Sequence, residues 1–376
     1  MSYLIKRSIS DRIRSRLGDH KAIVLQGARQ VGKTTLISQL LNKKDDVLWV
    51  NGDSPGNRLL WNNMDISVLT QVTKGYSYLV IDEAQRIENI GLTAKMAVDN
   101  RLPVKVILSG SSSLNLASSV NEPLTGRKWS YELYSLSWEE LVNAYRLPPM
   151  LERLEERLIY GSYPEVVVED DKEDRLREIS ASYLYKDILE YGDIRKPDLI
   201  IKLLQALAYQ IGSEVSYSEL SRLLGVDVKT VQRYIQLLED SYVLLRLPAL
   251  STNPRKEIST SRKIYFLDNG IRNSVIENFN PSRLRNDRGQ LWENYVITEL
   301  YKKYHNNGKG GRFYFWRSRN QAEVDLVIFR NGRYEAIECK YNPKKVKIKL
   351  PSSFIQRYDP VKAEVIHTEN FFKILA

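Results

Sequence analysis

Residues 22–34 read AIVLQGARQVGKT: a short apolar run, then Gly27-Ala28-Arg29-Gln30-Val31-Gly32-Lys33-Thr34. The second part fits G-x-x-x-x-G-K-[ST] at every position. Its setting is the one that pattern needs, with a strand-like run before it and TTLISQLL at helical apolar spacing after it. Glycines let the backbone close around an anion, successive N–H groups point inward, and the start of the helix adds a positive dipole end. Residues Gly27 to Thr35 are therefore expected to cradle the phosphates of ATP. Lys33 reaches the β- and γ-phosphates, and the Thr34 hydroxyl ligates Mg²⁺.

Working outward, the strand-like runs DVLWVN (46–51), YLVID (78–82) and VKVILSG (104–110) alternate with helical patterns. Such alternation predicts an α/β parallel sheet over residues 1–145. Asp82 ends its run at the carboxyl edge of a strand, where open α/β sheets bind ligands, and is expected to hold Mg²⁺. Glu83 beside it would polarise the attacking water, although an Asp-Glu pair also suits the start of a helix. Ser109 and Ser111 are candidate γ-phosphate sensors. Arg127 in TGRKW is a candidate arginine finger, acting on its own nucleotide or on another copy's. Each of these three could instead be turn chemistry or a surface group.

The rest of the chain is organised differently. Residues 146–211 are acidic, with 10 basic against 14 acidic side chains, and carry long apolar periodicity expected of a helical bundle. Residues 212–285 contain SYSELSRLLGVDVKTVQRYIQLLEDSYVLLRL, a helix, a glycine turn, a helix and a β-rich tail at winged-helix spacing. Val228, Val231, Ile235 and Leu238 would face a core, leaving Lys229, Thr230, Gln232 and Arg233 outward, where they could meet phosphates and base edges. Winged helices also bind proteins, and Glu219, Glu239 and Asp240 dilute the positive face. The run PRKEISTSRK (254–263) would supply a wing or a surface hairpin.

Residues 286–376 open with the helical LWENYVITELYKKY and continue into a hairpin. Asn331-Gly332 is a strong two-residue turn signal between EVDLVIFR and RYEAIECK. In that register Asp325 lies opposite Glu338 and Glu323 opposite Lys340, with Val324, Leu326, Ile328, Ile337 and Cys339 on the other face. Opposed carboxylates only about 5 Å apart repel unless a cation lies between them, and hard oxygen ligands suit Mg²⁺ or Mn²⁺. A cross-strand ion pair at a wet edge is the plainer alternative.

In order, the chain carries GARQVGKTT, YLVIDEAQ, LSGSSS, LTGRKWSYELYSLSWEE, YGSYPEVV, KIYFLDNGIRN and EVDLVI…IECK. This succession resembles prokaryotic AAA-superfamily P-loop ATPases with a C-terminal restriction-endonuclease-like domain of unknown function. YGSYPE departs from the Gly-Gly-Phe/Tyr-Pro type of turn, and Tyr131–Leu136 from a more proline-rich stretch. The resemblance implies a P-loop core, a winged helix and a C-terminal PD-(D/E)xK nuclease-like α/β domain. By that likeness Asp325 and Glu338 would hold a metal, Lys340 would assist a hydroxide, and Glu293 would complete the site, with Gln321 a weaker candidate. Nuclease-like folds also persist as inactive binding modules, so a signalling or DNA-binding regulator is the alternative to a nuclease.

Composition narrows the partners. The 56 Lys and Arg exceed 46 Asp and Glu, and residues 292–376 hold 16 basic against 9 acidic side chains. That excess favours a polyanion, DNA before RNA, although a solvated basic face would look the same. No apolar run approaches a membrane span, and a single cysteine, Cys339, excludes an internal disulfide. A cytoplasmic protein without membrane contact, able to self-associate, is the expectation.

Overall fold

The computed structural model describes residues 4–41, 46–62, 64–111, 123–182, 197–251, 262–318, 320–345 and 350–375. Two compact units divide the chain: Lys6–Tyr134 with Asp240–Tyr242, and Ser135–Glu239 with Val243–Ala376 and Met1–Ile5.

In the first unit, strands β1 (Ala22–Gln26), β2 (Val47–Asn51), β3 (Tyr78–Asp82), β4 (Lys105–Gly110) and β5 (Lys128–Glu132) form one parallel sheet in the order β2-β3-β4-β1-β5. β1 and β4 are buried along their whole length, as continuous apolar runs demand of central parallel strands. Their pairing sets Leu25 beside Ser109 and Gln26 beside Gly110, while Asn51 pairs with Asp82. The carboxyl ends of β1, β3 and β4 thus lie side by side at one edge, above which ligands of open α/β sheets bind. β5 was not foreseen as a strand. Its sequence KWSYE buries only Tyr131, so an edge strand left no apolar signature.

The second unit takes in the segments expected on either side of residues 211 and 285. Its helices and two sheets share one core, including Trp138, Leu158, Leu247, Tyr265, Trp292, Phe315, Leu326 and Phe371. The helix Trp138–Tyr145 belongs here too. Ser137 and Glu140 close a capping box at its start, and the Trp138 N–H donates to Glu299 Oε2 at 2.6 Å. Five helices lie among the described residues of 146–211, from Leu147–Glu152 to Pro197–Tyr209; part of the expected periodic run, 183–196, lies outside the described residues.

Helices Tyr217–Leu224 and Val228–Asp240 follow, joined through Gly225 at φ 65°, a left-handed conformation that glycine adopts without steric cost. Asp227 caps the second helix through the Thr230 N–H at 2.8 Å. Strands β6 (Glu214–Val215), β7 (Leu244–Pro248) and β8 (Arg262–Phe266) form an antiparallel sheet in the order β6-β8-β7. Most of the basic run proposed as a wing, 252–261, lies outside the described residues.

Helix Arg288–Asn306 leads into β9 (Arg312–Arg317), β10 (Glu323–Arg330) and β11 (Arg333–Cys339), with β12 (Lys362–Ile366) completing the order β12-β11-β10-β9. The turn at Asn331 and Gly332, both at positive φ, sets the register expected for the hairpin: Arg330 pairs with Arg333 and Leu326 with Ile337. An irregularity between Val324 and Val327 interrupts the pairing of β10 with β9. Strict alternation fails there, and Val324 packs with Val327 and Ala336 instead of with Leu326, Ile328, Ile337 and Cys339. Among the described residues, no helix is long and apolar enough to cross a membrane.

Candidate nucleotide site and a carboxylate cluster

The phosphate loop leaves β1 against the chain that leaves β5. The Leu133 N–H donates to the Gln26 carbonyl at 2.7 Å. A Cβ on Gly27 would lie 2.1 Å from the Leu133 carbonyl oxygen, and Gly27 has φ 155°, so only glycine fits. Gly32, at φ 93°, turns the chain into helix Lys33–Leu41. Arg7 braces the loop: its Nη1 donates to the Val31 carbonyl at 2.7 Å and its Nη2 to the Tyr134 carbonyl at 2.6 Å. Nothing in the sequence marked Arg7, which reads as one of several cations near the start of the chain.

Within the loop, buried Lys33 donates from Nζ to the carbonyls of Gly27 at 2.9 Å and Ala28 at 2.8 Å. The Thr34 hydroxyl donates to Asp82 Oδ2 at 2.6 Å, and the Ser109 hydroxyl to Asp82 Oδ1 at 2.5 Å. Ser109 and Ser111, the two candidate sensors, are both buried, Ser109 against Asp82 and Ser111 against Glu83. Glu83 sits in the left-handed region at φ 50° and accepts from Gln85 Nε2 at 2.6 Å and from the Ser111 hydroxyl at 3.5 Å. Gly52 permits that turn, because a Cβ there would lie 2.3 Å from the Glu83 carbonyl oxygen.

These residues fit a magnesium nucleotide. A hydroxyl and a carboxylate 2.6 Å apart are the hard oxygen donors that Mg²⁺ takes, and Lys33 supplies a cation in the loop. The side-chain atoms Gln26 Nε2 and Gln30 Oε1 are buried without a hydrogen-bond partner around the loop. Arg29 is partly buried and Thr35 exposed at its mouth.

Arg127 lies elsewhere. Its carbonyl accepts from the Ala22 N–H at the start of β1, whereas the loop begins beyond the far end of that strand, about 13 Å away. Its Nε is paired with Asp99 Oδ1 at 2.5 Å, and it lines a cavity of about 330 Å³ with His20, Lys21 and Arg101. As an arginine finger for its own nucleotide it is excluded by distance; a catalytic role would require a second copy.

The carboxylates of the second unit gather at the end of the hairpin. Glu293, on helix Arg288–Asn306, accepts at Oε1 from Lys263 Nζ at 2.9 Å and from the Tyr265 hydroxyl at 2.7 Å, both from β8. Its Oε2 faces Gly212, where a Cβ would approach to 3.3 Å. Lys263 also pairs with Glu323. Asp325 Oδ2 accepts from the Cys339 N–H at 2.7 Å and lies 3.9 Å from Lys340 Nζ, which contacts Glu338 Oε2 at 3.0 Å. Glu323 therefore does not pair with Lys340 as the register suggested; Lys263 takes it, with Arg317 Nε 3.9 Å away. Gln321 is exposed and its Oε1 accepts from Arg317, turned to the surface.

Burial and then the neighbouring Asp325 push Glu338 up to about 7. Burial likewise raises Glu293 to about 7, with Lys263 opposing and Asp325 adding to the rise. Burial works against the charge of Lys263, but Glu293 and Glu323 outweigh it and hold the ammonium protonated. Among the described residues no three His, Cys, Asp or Glu side chains are grouped to hold a metal ion. Each of the acids expected to hold a metal, Glu293, Asp325 and Glu338, is met by a lysine: Lys263 on Glu293, and Lys340 on Glu338 and, at 3.9 Å, Asp325. Cys339, as expected, is buried in the core.

Known proteins share this outline. The AAA domain family matches residues 19–142, and two domains of unknown function match 151–282 (DUF8612) and 288–372 (DUF4143). An uncharacterised protein of Mycobacterium tuberculosis is 28% identical over 344 residues, covering 89% of this chain and 74% of that protein. Another, from Methanocaldococcus jannaschii, is 26% identical over 397 residues, covering 96% and 86%. Among solved structures, the Walker-type ATPase of Pyrococcus abyssi superposes with a TM-score of 0.50 at 15% identity, over 73% of this chain and 96% of its own. Residues Lys6–Tyr134 therefore carry the fold of a P-loop ATPase.

Proposed function

We propose that this protein is an ATP-hydrolysing switch that couples its nucleotide state to engagement of nucleic acid, DNA before RNA. The observation that carries the ATPase half is the convergence of Thr34 and Ser109 on Asp82, beside Lys33 in its glycine-bounded loop. Mg²⁺ would be held by Thr34 and Asp82, and when bound it neutralises charge on the β- and γ-phosphates. Lys33 and the N–H groups of Gly27–Thr34 bind the phosphates. Glu83 takes a proton from the attacking water, and Gln85 with Ser111 fixes its carboxylate. ATP turnover of the purified chain tests this directly. Lys33→Ala should abolish it, and normal turnover in that variant sinks the assignment.

The nucleic-acid half rests on the two helices and three-stranded sheet of residues 214–266, which we read as a winged helix. Val231, Ile235 and Leu238 of helix Val228–Asp240 are buried, while Lys229, Gln232 and Arg233 are exposed. Phosphate contacts release counterions, so binding to duplex DNA should weaken with salt and the slope should fall in a Lys229→Ala, Arg233→Ala double variant. Binding that ignores salt and that variant would reject this surface.

The C-terminal sheet, with its Glu338-x-Lys340 pattern, we read as a nuclease-like fold that binds without cutting. That regulator reading is favoured by the absence, among the described residues, of a metal-competent group. Plasmid DNA incubated with Mn²⁺, with and without ATP, should stay intact. Cleavage that disappears in Asp325→Ala and Lys340→Ala would overturn it.

A further inference from the structure

The carboxylate cluster raises a problem that the ATPase reading leaves untouched. Glu293, Glu323 and Asp325 approach one another from helix Arg288–Asn306 and from β10, in surroundings where unpaired charges are strongly disfavoured. The cation that answers them is on neither element. Lys263 comes from β8, the central strand of the three-stranded sheet, and only 2% of it is exposed. Its ammonium contacts Glu293 and Glu323 together, and the Tyr265 hydroxyl two residues along β8 fills the remaining place on Glu293 Oε1. Gly212 closes over Glu293 Oε2. Lys340 covers the other end, against Glu338 and Asp325.

We propose that Lys263 is the resident cation of this cluster: inserted between Glu293 and Glu323, it takes the place a divalent metal would occupy and keeps the cluster closed to one. The contact is autoinhibitory in form, because the residue that closes the cluster belongs to the sheet following the helix pair of the proposed winged helix. Metal entry would require β8 to withdraw Lys263. This deepens the non-cleaving reading of the C-terminal fold and is independent of ATP hydrolysis.

The test uses the nucleotide-free chain carrying Asp82→Asn in every arm, so that the nucleotide site lacks the carboxylate assigned to Mg²⁺. Mn²⁺ binding is followed by the electron paramagnetic resonance of the free ion, and thermal unfolding is recorded with Mn²⁺ and with chelator. The parent chain should retain no stoichiometric Mn²⁺, and its midpoint should be the same in both conditions. Lys263→Met should unfold at lower temperature with chelator, recover with Mn²⁺, and bind one ion at least tenfold more tightly than the parent. Lys263→Arg, which keeps the cation, should behave as the parent. Stoichiometric Mn²⁺ on the parent that is lost in Asp325→Asn would overturn the proposal. So would a folded Lys263→Met protein that ignores Mn²⁺. Should Lys263→Met fail to fold under any condition, the parent and Lys263→Arg titrations decide: metal bound by either and lost on Asp325→Asn refutes a lysine-closed cluster, and its absence from both upholds it.

Discussion

Lys33 and Lys263 are both buried lysines, 6% and 2% exposed. Their partners differ. Lys33 donates to two neutral carbonyls of its own loop, Gly27 and Ala28, and those acceptors yield readily to a phosphate, because charged acceptors make the stronger hydrogen bond. Lys263 is held by two carboxylates from separate elements. Lys263 thus has two anionic acceptors, whereas the two carbonyls that Lys33 reaches are neutral. Under the proposed function the same side chain serves binding in the first place and internal neutralisation in the second.

The comparison breaks most easily by removing each lysine in turn. Lys263→Ala removes the ammonium shared by Glu293 and Glu323, and loss of one partner of a buried pair costs about 3–5 kcal/mol. Thermal or denaturant unfolding should show that loss, while ATP turnover measured well below the midpoint stays near the parent value. Lys33→Ala should do the reverse, removing turnover with a change in stability below about 1 kcal/mol. Equal losses of stability in the two variants would dissolve the distinction.

A smaller effect is expected at Arg7, which acts on the phosphates only through the loop it braces. Arg7→Ala should weaken ATP binding about tenfold, near 1.4 kcal/mol, with the fold retained. Titration with a fluorescent ATP analogue reads this out, and Arg7→Lys, which keeps one donor group, should recover part of it. Unchanged affinity in a folded Arg7→Ala protein would reduce the residue to packing.

The smallest effect concerns pH. Glu338 is pushed up to about 7, above the usual carboxylate range, by burial and then by Asp325, so the folded chain holds this proton more tightly than the unfolded one. Its contribution is fully present below the unfolded value near 4.5 and is lost as pH rises through 7. Between pH 5 and pH 8 the parent should therefore lose a few degrees of midpoint relative to Glu338→Gln, which has no proton to lose. Parallel pH profiles for the two proteins would show that Glu338 titrates normally.

Much of the nucleotide site was legible because its chemistry is local. Gly27, Gly32, Lys33 and Thr34 are fixed by the geometry of one loop, and Asp82 by one strand end. Ser109 was placed at the site from its strand end, but its hydrogen bond to Asp82, 27 residues away, was not legible. The hairpin register was equally legible from Asn331-Gly332, yet the irregularity at Val324–Val327 moved Val324 to the opposite packing cluster, which no alternation rule foresees. Lys263 was invisible. It lies beside Ile264, Tyr265 and Phe266 at the end of a basic run that reads as surface, and its carboxylates are 30 and 60 positions further along.

The sequence by itself determined the phosphate loop, the parallel sheet around it and the hairpin turn, because backbone sterics and hydrophobic period act over a few residues. Tertiary structure alone decided three things. Arg127 went to the edge of the sheet away from the loop, because strand direction sets which end a residue occupies. Ser135–Glu239 and Val243–Ala376 became one unit, because their helices and sheets share a core. And the acids at the hairpin end met Lys263 and Lys340, because a buried charge is neutralised by whichever cation the fold brings nearest.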